Sequence, residues 1–195
     1  MDLTPPSLPA APGLGATRVR RPRRRILGID PGSRTTGYAL IDSDGTHSTR
    51  VVSGSIRVAH APWPGRLGLI FDQVAALVQD YAPDEMAVEQ LIFARDPLAA
   101  LKLGQARGAI ICAALQGGVQ VHEYSPKSVK QAVVGTGAAE KSQVQHMVRL
   151  LLALDAAPGE DEADALALAL CHAHSLGLPV RKRAAASWRD WRPTP

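Results

Sequence analysis

Hydrophobic positions change their period along this chain, and the changes mark out its elements. The run ILGID (Ile26–Asp30) is apolar until Asp30, and the turn residues Pro31, Gly32 and Ser33 follow it; this predicts a strand entering a loop. TGYALID (Thr36–Asp42) predicts a second strand. Asp44-Gly45 is a hairpin signal, and Arg50–Val58 is the returning third strand. Beyond Pro62 and Pro64 the period lengthens. Leu67, Ile70, Phe71, Val74, Leu77 and Val78 recur at three- and four-residue spacing, which predicts a helix that Tyr81-Ala82-Pro83 ends.

MAVEQ (Met86–Gln90) is short and apolar enough for a buried fourth strand. A second helix is expected from Asp96 to Leu115, apolar on more than one side, with Gly117-Gly118 stopping it. Val119–Tyr124 is the fifth strand. Ser125 caps and Pro126 opens a helix over Lys127–Val134. Two more helices are expected, from about Glu140 to Leu154 and from about Asp161 to Ser175. Three antiparallel strands followed by two parallel crossovers predict an α/β fold with a mixed five-stranded sheet flanked by helices, a ribonuclease-H-like topology.

Residues 1–25 are rich in Pro, Ala, Gly and Arg and have nothing to pack, so a disordered basic arm is expected there, with the domain over 26–178 and a second basic tail over 179–195. Charge follows this division. The arm holds six Arg against one Asp, and residues 181–195 hold five Lys or Arg against one Asp; the stretch 26–180 is left with 11 basic and 16 acidic residues, a net of −5. The total of +4 therefore comes from the ends and does not by itself argue for a nucleic-acid partner. Aromatics make up 4% of the chain, so the core has to be built from Ala, Leu, Val and Ile. No run of about 18 apolar residues suggests a membrane span, and no secretory leader is evident. Cys112 and Cys171 lie in apolar, helix-like contexts and read as buried free thiols in a reducing cytoplasm.

Four carboxylates call for an explanation. Asp30 closes the first strand, Glu89 closes the buried fourth, and Asp161 and Asp164 sit three apart on one face at the start of the last helix. Taken singly, Asp30 is compatible with an Asx turn and the Asp161–Asp164 pair with a helix dipole. Taken together they point elsewhere. If the first and fourth strands are parallel neighbours, Asp30 and Glu89 lie side by side, and a helix crossing that edge delivers the other two. Clustered, desolvated anions repel one another unless cations compensate them. Oxygen ligands favour Mg²⁺ or Mn²⁺ over Zn²⁺, and two such ions about 4 Å apart form the arrangement that hydrolyses phosphodiesters. Lys127, Lys130 and Lys141 are the basic residues nearest in sequence to the last acidic pair on a plausible DNA-facing side, and all three are candidates for contact with DNA.

Long strings of the chain resemble the RuvC family of Holliday-junction resolvases. GIDPGSRTTGYALID (Gly28–Asp42) is similar to that family's opening strand and hairpin, and AVEQ (Ala87–Gln90) to its second catalytic strand. LKLGQARG (Leu101–Gly108), VVGTGAAEKSQVQHMV (Val133–Val148) and DEADALALALCHAH (Asp161–His174) are also similar to it, over about Ile26 to Ser175. The resemblance implies a homodimeric, Mg²⁺-dependent endonuclease that nicks two opposed strands of a four-way DNA junction, leaving 5′-phosphate and 3′-hydroxyl ends. By match, Asp30, Glu89, Asp161 and Asp164 hold two Mg²⁺ ions (Mn²⁺ being an alternative), Lys141 serves both cleavage and DNA contact, and Lys130 contacts DNA. In the loop Leu91–Asp96 the family's stacking aromatic is replaced by Ile92, with Phe93 beside it. Either Phe93 stacks on a junction base or the wedge is aliphatic, and Arg95 joins these as a DNA-contacting candidate. By analogy the partners are the RuvA junction-recognition protein and the RuvB branch-migration ATPase.

Three rivals bear on these residues. Actin-like ATPases and sugar kinases open with a similar strand and turn but need a second domain. Ribosomal-RNA-processing nucleases of related fold are not expected to carry LKLGQARG. A non-catalytic junction binder would be favoured by loss of one of the four carboxylates, and all four are present.

Overall fold

The computed structural model describes residues 22–91 and 96–176. The expected arm up to residue 21, the last two positions of the expected domain (177–178), the expected tail over 179–195, and Ile92, Phe93 and Arg95 lie outside the described residues. In chain order the elements are β1 (Arg24–Asp30), β2 (Thr35–Ser43), β3 (Ser48–Arg57), α1 (Gly65–Tyr81), β4 (Glu85–Glu89), α2 (Pro97–Gln116), β5 (Gln120–Tyr124), α3 (Pro126–Val134), α4 (Lys141–Leu151) and α5 (Glu160–Leu176). The strands form one sheet in the order β3-β2-β1-β4-β5. β1 pairs antiparallel with β2 and parallel with β4, while β2–β3 is antiparallel and β4–β5 parallel. This is the mixed five-stranded sheet that the pattern predicts.

Alternation along the strands divides the core into two. Leu27, Ile29, Leu40, Met86 and Val88 face α1 and α2, meeting Ile70, Val74, Val78, Ala106 and Ile110. Ile26, Ala39, Ile41 and Ala87 face α5, with α3 and α4 packed alongside through Val129, Val133, Val144 and Val148. From Ala163 to Ala173 the α5 helix is buried at every residue but one. It therefore has no solvent face along most of its length, and its alanines let it lie close to the sheet.

Two glycines make that approach possible. A Cβ on Gly28 would stand 2.1 Å from the Ala165 carbonyl oxygen, and one on Gly37 would stand 1.9 Å from that of Asp161. Gly37 is the register partner of Asp30. The backbone of α5 thus rests on the sheet beside the end of β1.

Some boundaries differ from the sequence reading, each for an identifiable reason. β1 begins at Arg24 rather than Ile26 because the two arginines have partners inside the domain. Arg24 donates to Glu85; Arg25 forms a fork on Asp42 (2.8 and 3.0 Å) and donates to the Tyr81 carbonyl (3.0 Å). α4 stops at Leu151, short of Leu154, because Ala153 adopts a left-handed φ of 49° and turns the chain, burying Leu152. Cys112 is exposed, contrary to the expectation for both thiols; α2 is apolar on several sides, so its pattern does not reveal which side packs. Cys171 is buried, and burial pushes its thiol up to about 12. α2 also reaches the length and mean hydropathy at which a helix can cross a bilayer, which the sequence reading did not expect of any stretch. Here Ala106, Ile110, Ala113 and Ala114 pack into the core.

Candidate active site

The parallel pairing of β1 and β4 brings two strand-end carboxylates together. Asp30 ends β1 and Glu89 ends β4, and the register that matches Ile29 with Val88 sets them side by side. Both occupy the strand face that α5 covers, since Ile26, Gly28 and Asp30 alternate to that side, as do Ala87 and Glu89. The first turn of α5 is acidic at Glu160, Asp161 and Glu162, which suits the positive end of its dipole. Its seating on Gly28 and Gly37 carries Asp161 and Asp164 to the same corner.

A cleft of about 300 Å³ opens there, lined by Asp30, Glu89, Asp164, Lys130, Lys141, Pro126, Val129, Val144 and Leu168. Asp161 does not line it, but its charge acts on Asp30. Burial raises the Asp30 carboxyl from its ordinary value to about 7, and the charges of Asp164, Glu89 and Asp161 add to the rise. Glu89 is also held high, first by burial and then by Asp164. Asp164 is raised by burial, against the pull of Lys141.

Lys141 is the cation that answers these groups. Its Nζ lies 3.6 Å from Asp164 and donates to Glu160 at 2.6 Å. The bond to Glu160, then the charges of Asp164, Glu160 and Asp30, hold its ammonium above the usual lysine pKa. Lys130, half-buried on α3, borders the same cleft. Lys127 is exposed and does not line it; the stem of that side chain lies beneath Gly137 instead.

Three residues that the sequence reading did not single out support the corner. The Arg107 guanidinium donates to the Glu89 carbonyl (3.2 Å) and pairs with Glu123 at 2.6 Å, tying α2 to the ends of β4 and β5. Glu162 accepts from Ser53 (2.6 Å) and from the Gly159 backbone N–H (3.2 Å), anchoring the start of α5 to β3. Glu160 holds Lys141 as described. Arg107 lies within LKLGQARG and Glu162 within DEADALALALCHAH, but their partners, 18 and 109 residues away, are invisible to local pattern.

The donor set here consists of carboxylate oxygens, with one lysine ammonium beside it. That composition fits hard divalent cations of the Mg²⁺ class, which would supply the positive charge that desolvated oxygens lack.

A family model described as crossover junction endodeoxyribonuclease RuvC matches residues 26–172. The chain is 59% identical over 149 residues to the protein of that name from Marinobacter nauticus, covering 76% of this chain and 85% of the relative. It is 49% identical over 163 residues to the one from Alkalilimnicola ehrlichii, covering 84% and 99%. The solved structure of T. thermophilus RuvC in complex with Holliday junction substrate superposes with a TM-score of 0.72 at 33% identity, covering 78% of this chain and 95% of that one. With this sheet order, this carboxylate corner and these matches, the chain belongs to the RuvC family of crossover junction endodeoxyribonucleases.

Proposed function

We propose that this protein resolves four-way DNA junctions by hydrolysing two opposed phosphodiesters, leaving 5′-phosphate and 3′-hydroxyl ends. The observation that carries the reading is the corner of Asp30, Glu89 and Asp164, where burial and mutual repulsion drive Asp30 to about 7 with Asp161 adding to the field. Such a site favours cation binding, and hydrolysis of a polyanion requires cations at the reacting phosphate.

Asp30, Glu89, Asp161 and Asp164 would hold two Mg²⁺ ions, or Mn²⁺. When bound, these ions lower the pKa of an attacking water and offset charge on the departing 3′ oxygen. The chain's own groups do the rest. Lys141 stays protonated beside Asp164 and offers its ammonium to a phosphate oxygen. Lys130 meets the backbone at the rim of the cleft, and Lys127 does so farther out. The segment after Glu89 carries Ile92, Phe93 and Arg95, and we assign it the contact with bases at the junction's centre.

Symmetric cuts on a two-fold substrate require two equal sites, so the working unit is a homodimer. The exposed leucines of α2 support this, since Leu98, Leu101 and Leu115 leave an apolar surface that a second copy can cover. Through the family, the proposed partners are the RuvA junction-recognition protein and the RuvB branch-migration ATPase, with the cytoplasm as the place of action.

The test is cleavage of a mobile four-way junction and of plain duplex, in Mg²⁺, Mn²⁺ and chelator, with Asp30→Asn alongside. Paired nicks in the junction alone, dependent on metal and lost in the variant, are expected. Junction binding without nicks in either metal would contradict the reading.

A further inference from the structure

A second cluster of ligating side chains lies on the same face of the sheet, at its other end. Glu85 opens β4, four residues before Glu89 and so roughly 13 Å from it. His122 projects from β5 on the α5 side, its residue pairing with Ala87. His172 belongs to α5, eight residues or roughly 12 Å beyond Asp164. Glu85 and His172 are only 6% and 1% exposed. His172 Nε2 lies 2.5 Å from Glu85 Oε2, and His122 Nε2 lies 3.2 Å from the same oxygen. The two imidazoles lie against each other, their ring centres 4.4 Å apart.

The local hydrogen bonds decide where the protons are. Ser175 Oγ donates to the His172 carbonyl at 2.7 Å, so its proton is engaged. Tyr124 must then donate to Ser175 (3.0 Å) and accept from Nδ1–H of His172 (2.7 Å). That tautomer leaves a lone pair on His172 Nε2, aimed at the carboxylate oxygen. His122 Nε2 is buried as well and, among the described residues, makes no hydrogen bond. A proton between His172 and Glu85 would satisfy that pair alone and leave His122 orphaned. One cation among the three atoms would satisfy all of them.

The geometry points to a metal site formed by Glu85, His122 and His172, separate from the catalytic corner and selective for a borderline cation such as Zn²⁺. Two imidazole nitrogens and one carboxylate oxygen are the donor set of such ions, whereas the corner at Asp30 has oxygen alone. Donors around a tetrahedral ion with bonds of about 2.1 Å stand about 3.4 Å apart, close to the 3.2 Å already present. The closer pair has to open by less than ~1 Å. The Arg24 guanidinium takes Glu85 Oε1, which leaves Oε2 to serve as a single ligand atom. Tyr124 fixes the ring of His172 through Nδ1, the second-sphere support that ligating histidines use. The His122 side chain is 31% exposed although its Nε2 is buried, and a water admitted past that ring would complete the coordination. The ion would tie β4, β5 and α5 together at the end of the sheet away from the cleft.

Untagged full-length protein is loaded with Zn²⁺, dialysed against excess Mg²⁺, and its zinc measured by elemental analysis. One Zn²⁺ per chain is expected in the unaltered protein and in Asp30→Asn, with a melting temperature that rises on zinc addition. His122→Ala, folded by circular dichroism, should lose both the retained zinc and the rise. Co²⁺ should give the intense visible bands of a tetrahedral site, a readout on the unaltered chain that stands even if His122→Ala does not fold. Absence of retained zinc, its persistence in folded His122→Ala, its loss in Asp30→Asn, or weak octahedral cobalt bands would each overturn the assignment.

Discussion

Glu85 and Glu89 stand on one strand, face one helix and are four residues apart, yet the fold treats them in opposite ways. Around Glu85 it gathers Arg24, His122 and His172, one guanidinium and two imidazoles. Around Glu89 it gathers Asp30 and Asp164, further anions with Lys141 as the nearby cation. Buried charge of the first kind is compensated in part within the chain, by the Arg24 guanidinium on one oxygen, while the other oxygen meets two imidazole nitrogens of which one is orphaned. The second kind is left for something outside the chain to compensate. The difference separates a carboxylate set among nitrogen partners from one crowded by other carboxylates, the end we propose for catalysis.

The most severe way to break the catalytic end is to lift α5 off the sheet. Gly37→Val puts side-chain atoms where the Asp161 carbonyl stands, so Asp161 and Asp164 leave Asp30. Cleavage should vanish, with stability falling by about 3 kcal/mol, read by urea denaturation.

A second effect comes from pH in chelator. The folded Asp30 carboxyl titrates near 7 and the unfolded one near 3.8, so between those values the folded chain binds the extra proton. Stability from this group is therefore greatest below pH 4 and declines as pH rises to 7, by an amount on the order of 2–4 kcal/mol. Urea midpoints across this range should decline less in Asp30→Asn than in the unaltered chain.

Smaller changes follow. Lys141→Met should reduce cleavage about 10²-fold in single-turnover assays while leaving the fold intact. Arg107→Ala frees the Glu89 carbonyl and should lower stability by about 1 kcal/mol, with a smaller loss of rate. Gly108→Ala meets open space in α2 and should stabilise by up to about 1 kcal/mol, marking the baseline for substitutions that touch neither end.

Much of this contrast was legible in the residues. Period changes, with turn and cap signals such as Asp44-Gly45 and Ser125-Pro126, predicted the strands and helices seen among the described residues. The four carboxylates were legible because charge at the end of an apolar strand demands a reason. Other features depend on contacts across the fold. Arg24 reads as part of a basic arm until Glu85 is seen beside it. His122 and His172 are 50 residues apart and nothing local connects them. Gly28 and Gly37 look like ordinary strand glycines until α5 is laid across them. The exposed side of α2 stayed ambiguous because apolar residues surround that helix.

We propose that repulsion among Asp30, Glu89, Asp161 and Asp164 is stored in the folded chain and relieved by divalent cations. The most direct measurement is the melting temperature of the unaltered protein and of Asp30→Asn at pH 8, in chelator and in saturating Mg²⁺. Asp30→Asn should melt higher in chelator and gain less from Mg²⁺ than the unaltered chain. An Asp30→Asn protein that melts lower in chelator, or gains as much from Mg²⁺, would contradict the account.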